Sequence, residues 1–360
     1  MNTSFERRKT HAVNVGGVII GGDSPISIQS MTNTDTHDVD ATYTQVMRLA
    51  EAGCDIVRIT APDLESVKTF EALMARDVKI PLVADIHFNH EIAVAVASSG
   101  VSKIRINPGN IGSDENVRRV VEACKSNSVP IRIGVNAGSL EKEILKKYGS
   151  PTPEALVESA LYHASLLERF DFNDIVISVK ASTVSDMIKA NRILAQKTPY
   201  PLHLGVTEAG GGSSAIVKSS IGIGTLLTEG IGDTVRVSLT DDPVEEIHAA
   251  REILKAVGMA KEPGMDIVSC PTCGRTKIDL IGMLSLFKDR VRQEGLDKLN
   301  IKVALMGCVV NGPGEAREAD LGIAGGKGEG LIFKKGEIIR KVEESRLIDE
   351  LIKEIKNTYL

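Results

Sequence analysis

The sequence predicts a parallel (β/α)8 barrel, the TIM-barrel architecture, followed by a small α+β domain. Eight short apolar runs alternate with amphipathic stretches across the first 260 residues, as in a parallel sheet whose strands are joined by helices. That span is close to the ~250 residues such a barrel needs. After the polar hinge Lys261-Glu262-Pro263-Gly264 the composition changes and a cysteine motif appears. A chain of 360 residues also exceeds what a single core usually serves. The expected domains are therefore 1–260 and 265–360.

In chain order, His11 to Ile20 with Gly16-Gly17 at its centre reads as a hairpin, placed to plug one end of the barrel. The eight strands are expected at Ile26–Ile28, Asp55–Thr60, Pro81–Asp85, Lys103–Asn107, Pro130–Asn136, Asp174–Lys180, Pro201–Val206 and Thr234–Ser238. Between them, Ala41–Glu51, Leu64–Met74, Asn116–Ser126 and Pro153–Arg169 carry apolar residues at three- and four-residue spacing. The alternative architecture, an open doubly wound sheet, would place Gly-x-Gly-x-x-Gly just after a first strand, and the sequence has none there. In the second domain, Ile278–Val291 reads as a helix, Ile301–Val310 as a strand, Leu321–Ile339 as short strands and Glu343–Tyr359 as a closing helix.

Composition excludes several function classes. A formal charge of −5, no Trp and 3% aromatic residues argue against a nucleic-acid binder, which needs basic and stacking surface. The five cysteines are odd in number and unlike a secreted disulfide framework, so a reducing, cytoplasmic setting is expected. The N-terminus is charged without an apolar signal stretch, and no run reaches membrane-span length.

Five expected strands carry a cation toward the end where barrel active sites form: Arg58, Arg105, Arg132, Lys180 and Arg236. Each alone could pair with a nearby carboxylate, because a buried cation is costly unless paired. Five converging on one mouth instead fit a multiply charged anion such as a diphosphate, since guanidinium forks match phosphoryl oxygens. Thr60, Asn107, Asn136 and Ser238 fall at or just past the same strand ends. The glycine-rich stretch after the seventh strand begins Thr207-Glu208, and Glu208 is read either as an acid or base or as a neutraliser of an arginine. His87 and His90 read as hydrogen-bonded structure rather than a metal pair, and Cys54 and Cys124 as buried core thiols.

Cys270-Pro271-Thr272-Cys273 brings two thiols to one side of a tight turn, and Cys308 follows an apolar strand. A structural zinc site wants four nitrogen or sulfur ligands, but three cysteines and no histidine lie beyond Met259. Three thiolates with one different ligand suit an iron–sulfur cluster with a distinctive iron. Glu315, after a Gly-Pro-Gly turn, is the nearest carboxylate. A redox dithiol or a zinc remnant is the competing reading.

These motifs resemble the 4-hydroxy-3-methylbut-2-enyl diphosphate synthase family. The resemblance is carried by Cys270-Pro271-Thr272-Cys273-Gly274-Arg275, Gly307-Cys308-Val309-Val310-Asn311-Gly312-Pro313-Gly314-Glu315, Ser30-Met31-Thr32-Asn33-Thr34 and Arg105-Ile106-Asn107-Pro108-Gly109-Asn110. Val57–Thr60, Ala84–Phe88, Arg132–Asn136 and Thr207–Gly210 extend it along nearly the whole chain, in the compact bacterial form. It implies a [4Fe-4S] cluster on Cys270, Cys273, Cys308 and Glu315 and a cyclic diphosphate held by Arg58, Arg105, Arg132, Lys180 and Arg236, with Asn136 and Ser238 assisting. It further implies Glu208 as proton donor, reduced ferredoxin or flavodoxin as electron source, and a head-to-tail homodimer. Two other readings remain open at this level: a redox-neutral lyase or isomerase with a structural metal, and a non-enzymatic metal sensor.

Overall fold

The computed structural model describes residues 5–181, 183–308 and 316–360. These fall into two compact units, 1–260 and 261–360.

In the first unit, β1 (Val13–Val15) and β2 (Val18–Ile20) form an antiparallel hairpin. Gly16 and Gly17 have φ of 57° and 94°, the left-handed pair that a two-residue turn between twisted strands requires. Eight parallel strands follow: β3 (Ser27–Met31), β4 (Ile56–Thr60), β5 (Leu82–Asp85), β6 (Lys103–Ile106), β7 (Ile131–Asn136), β8 (Ile175–Lys180), β9 (His203–Leu204) and β10 (Thr234–Val235). Pairing runs β8-β7-β6-β5-β4-β3-β10-β9, and a parallel bridge between Ile177 and Leu202 joins the two ends. The TIM-barrel expectation is met.

The last two barrel strands are shorter than expected. Ladder pairing persists only as far as the Arg236 N–H, which donates to the Leu204 carbonyl at 2.9 Å. Beyond it the backbone crowds the cationic interior: a Cβ on Gly205 would lie 2.8 Å from the Arg236 carbonyl and 3.2 Å from Lys180 Nζ.

Helices α1 (Val39–Glu51), α2 (Val67–Ala75), α3 (His90–Ala97), α4 (Asp114–Ser126), α5 (Lys142–Tyr148), α6 (Pro153–Glu168), α7 (Val184–Lys197), α8 (Gly212–Thr228) and α9 (Pro243–Ala256) connect the strands. Asp38, Asn89, Ser113, Thr152, Thr183 and Asp242 accept first-turn N–H groups and so start six of them.

Alternation along each strand sorts the side chains. One set, including Val57, Ile59, Leu82, Ala84, Ile104, Ile131, Ile133, Ile177 and Val235, packs in the main core with apolar residues of the helices. The other set faces into the barrel. At its lower end Ile56, Val83 and Val176 pack against Val13, Val15 and Ile20 of the hairpin, each such side chain contributing about 1.5–3 kcal/mol through burial.

The second unit is a five-stranded sheet in the order β11 (Asp266–Ser269), β12 (Lys302–Met306), β13 (Leu321–Gly325), β14 (Glu329–Lys334) and β15 (Glu337–Glu343). The first three strands are parallel and the last two antiparallel. Phe287 and Val291 of α10 (Leu280–Gln293) and Leu347, Leu351 and Ile355 of α11 (Leu347–Tyr359) share one core with Val303, Leu321 and Ile332 of the sheet. The closing helix starts later than Glu343 because β15 extends through that residue to pair with Glu329.

Candidate active site

The inward-facing set is polar where most barrels are filled with branched apolar residues. Strand register explains how the cations meet. One row across neighbouring strands runs Met31, Arg58, Val83, Lys103, and the next runs Thr60, Asp85, Arg105, Arg132, Val176. Asn136 stands opposite Lys180 one strand further on. Arg132 is thus the second residue of its strand, deeper than a strand-end position, and it is only 1% exposed.

Three of the five arginine and lysine residues singled out from sequence do meet carboxylates. Asp85 Oδ1 lies 3.1 Å from Arg105 Nη1, and its Oδ2 lies 3.5 Å from Arg58 Nε. Arg236 makes a two-pronged contact, Nε and Nη2 donating to the Glu246 carboxylate at 3.0 and 2.9 Å. Ser30 Oγ and the Leu239 N–H donate to the same carboxylate. The Met31 sulfur sits between Arg58 Nη2 at 3.0 Å and Arg236 Nη1 at 3.6 Å.

Pairing leaves a positive excess. Arg132 Nε and Nη1 are buried without a hydrogen-bond partner among the described residues; Lys103 Nζ, also without one there, is buried beside cations that disfavour its charged form and adds nothing to that excess. Burial, followed by repulsion from neighbouring cations, pushes the pKa values of Arg132 and Lys180 well below their ordinary values. Burial also pulls Arg58 down to about 10 in spite of Asp85. Burial disfavours ionisation of Asp85 too, but attraction to Arg58, Arg105 and Arg132 overrides it and holds the carboxyl at about 2. Asp85 and Glu246 therefore neutralise only part of the charge, and a polyanion is the ligand that would complete it.

Backbone detail protects this arrangement. Arg105 Nη2 donates to the Gly134 carbonyl at 2.6 Å, and the Gly134 N–H donates to Asn107 Oδ1 at 3.0 Å. A Cβ at position 134 would overlap the Arg105 guanidinium, standing 2.7 Å from Nη2. Gly134→Ala is accordingly expected to expel Arg105 from its place and weaken pyrophosphate binding about tenfold or more, while the far-ultraviolet circular dichroism stays that of wild type. Unchanged affinity by calorimetry would remove Arg105 from the anion site.

Glu208 is exposed on the loop between β9 and α8 and has a φ of 55°, in the left-handed region that non-glycine residues seldom occupy. Ser238 lies three residues past the end of β10 and is half-buried. His87 is exposed, and His90 Nε2 lies 3.3 Å from Arg119 Nη1. Cys54 and Cys124 are buried, and burial pushes both thiols up to about 12.

In the second unit, Cys270 and Cys308 follow β11 and β12, two adjacent parallel strands, at the same end of the sheet. The Gly307 N–H donates to Cys270 Sγ at 3.2 Å. The Lys277 N–H donates to the Gly307 carbonyl, and Thr276 Oγ1 accepts the Cys273 N–H at 3.1 Å. These bonds bind the Cys270–Cys273 turn to the Gly307-Cys308 turn. Backbone and then side-chain hydrogen bonds from Arg275 lower the exposed Cys273 thiol below its ordinary value, favouring the thiolate that binds metal. Among the described residues no three His, Cys, Asp or Glu side chains converge on a single-ion site. Glu315 lies outside the described residues, as does the end of the strand expected at Ile301–Val310. Cys270 and Cys308 at one sheet end, with Cys273 in the turn that follows β11, are soft sulfur donors of the kind an iron–sulfur group takes.

Sequence reasoning missed Lys103, Glu246 and the acceptor role of Asp85. Lys103 was detectable, since it precedes Arg105 by two residues and so shares its face. Glu246 carried no such signal, because it sits on an outer helix.

Comparison with known proteins covers both units. The GcpE TIM-barrel domain matches residues 10–251 and the GcpE protein C-terminal domain matches residues 266–357. The 4-hydroxy-3-methylbut-2-en-1-yl diphosphate synthase (flavodoxin) of Clostridium perfringens is 61% identical over 352 residues, covering 98% of this chain and 99% of the relative. That of Clostridium acetobutylicum is 58% identical over 355 residues, covering 98% and 100%. Among solved structures, a type I 3-dehydroquinate dehydratase from Clostridium difficile superposes with a TM-score of 0.50 at 14% identity, over 69% of this chain and 97% of that one. This last likeness is one of fold alone. With both family domains matched in order and relatives aligned end to end, the chain belongs to the GcpE family.

Proposed function

We infer that this protein is an iron–sulfur oxidoreductase of isoprenoid synthesis, a 4-hydroxy-3-methylbut-2-enyl diphosphate synthase. It opens the ring of 2-C-methyl-D-erythritol 2,4-cyclodiphosphate with two electrons, one ring carbon–oxygen bond breaking and one hydroxyl leaving as water. The carrying observation is the end-to-end identity of 61% with a relative of that name. The excess of buried cations in the barrel supports a diphosphate substrate. A redox-neutral lyase and a metal sensor are not favoured, because the relatives matched over both units are named as flavodoxin-linked synthases.

In this reading Arg58, Arg105, Arg132, Lys180 and Arg236 hold the phosphoryl oxygens, with Asn136 and Ser238 orienting them. Glu208 delivers the proton that lets the hydroxyl leave as water. Cys270, Cys273 and Cys308, with Glu315 as the harder and more easily displaced ligand, hold a [4Fe-4S] cluster. When bound, that cluster supplies the electrons singly, received from reduced flavodoxin or ferredoxin. A head-to-tail homodimer, one protomer's cluster unit capping the other's barrel, is the assembly that accompanies this reading.

Iron and acid-labile sulfide are the first measurement, on anaerobically purified full-length protein. About four of each per chain are expected, together with dithionite-dependent conversion of the cyclic diphosphate to its linear product. Zinc without sulfide after anaerobic reconstitution, and no reductive turnover, would overturn the assignment.

A further inference from the structure

Lys103 lies at the floor of the barrel and belongs to no role assigned above. It starts β6 in the same ladder row as Arg58 and Val83, and Val83 packs on the N-terminal hairpin. Its side chain is fully buried, and its amine has no hydrogen-bond partner among the described residues. The charged groups acting on it are Arg132 on β7 and Arg58 on β4, both cationic. His203 on β9 feels Lys103 in turn; it is also fully buried, and neither ring nitrogen has a hydrogen-bond partner among the described residues. On β5, the adjacent strand, Asp85 is engaged by Arg58 and Arg105. A protonated amine here would be desolvated and surrounded by like charge, a placement that drives lysine to the neutral form.

We propose that Lys103 is a charge-compensating residue beneath the phosphate site, neutral in the ligand-free protein and protonated from solvent when the linear diphosphate product occupies the barrel. This rests on the function proposed above. A cyclic diphosphate carries one ionisable oxygen on each phosphorus. Cleavage of the ring carbon–oxygen bond leaves the freed phosphate with a second, so the bound ligand gains one negative charge. The arginines are already cationic and cannot answer that change. A neutral amine beside Arg132 can, by taking one proton.

The test is calorimetric titration of the oxidised holoenzyme, without reductant, with the cyclic substrate and with the linear product. Two buffers of different ionisation enthalpy are used near pH 8.5, where the free diphosphates are fully ionised. The product is expected to bind with about one more proton taken up than the substrate. In Lys103→Met that extra uptake disappears, and product affinity falls about tenfold while substrate affinity changes little. Lys103→Arg, which keeps a fixed charge, also loses the uptake and serves where the methionine variant folds poorly. Equal proton uptake for the two ligands in wild type, or extra uptake that survives in Lys103→Arg, overturns the proposal. Arg132→Ala provides the separate control: if it binds both ligands as wild type does, the phosphate site itself is misplaced.

Discussion

Cys308→Ser is expected to yield protein without iron–sulfur absorption, with fewer than four irons per chain and with reductive turnover lowered at least ~100-fold. Even outer-shell partners of metal ligands cost 10–100-fold when removed, and a serine oxygen is a poor replacement for a soft thiolate on iron. The barrel has a core of its own, separate from that of the cysteine-bearing unit. Pyrophosphate affinity in this variant should therefore stay within about twofold of wild type. A variant that keeps the full cluster spectrum would strike Cys308 from the ligand set. Loss of both the cluster and anion binding would instead point to a global folding defect.

Asp85→Asn carries the second large effect. Asp85 is 4% exposed and is in contact with both Arg58 and Arg105. Removing its charge leaves those guanidiniums and Arg132 without their nearest counter-ion, a loss of about 3 kcal/mol and roughly a 10 °C drop in Tm for the barrel. Because the folded carboxyl sits at about 2, below the ordinary 3.8, its contribution is fully present above about pH 4. It is lost as pH falls through about 2. The stability gap between wild type and Asp85→Asn, read as the difference in urea midpoint, should be widest near neutral pH and narrow from about pH 4 downward. Saturating pyrophosphate should raise the Tm of the variant more than that of wild type, since an anion then supplies the missing charge. A gap independent of pH would mean that Asp85 acts through shape rather than charge.

The second effect traces to a barrel interior whose charge is unbalanced. Glu246 and Asp85 anchor Arg236, Arg58 and Arg105 in defined directions, while Arg132 and Lys103 have donors with no partner among the described residues. The two explanations weighed for such cations, neutralisation by carboxylates and binding of an anion, are thus complementary. Paired arginines retain further N–H donors, and fixing one prong of the fork pre-orders the other.

The strand–helix alternation, the hairpin turn and the face on which Arg105 and Lys103 lie follow from local rules: a side-chain period of two in strands, and glycines where φ must be positive. The spacing of Cys270 and Cys273 is equally local, because a two-residue interval forms its own turn. These features were readable in the amino-acid order alone. Only the tertiary structure decided which strands stand in register, and hence that Arg132 lies opposite Arg105 deep in the barrel rather than at its rim. It alone placed Glu246, from an outer helix, against Arg236 and Ser30, and turned the Gly307 N–H toward Cys270 from 37 residues away. The physical reason is the range of the interactions. Backbone propensity and side-chain alternation act between near neighbours in the chain, whereas charge pairing and burial act through space, where sequence separation carries no information.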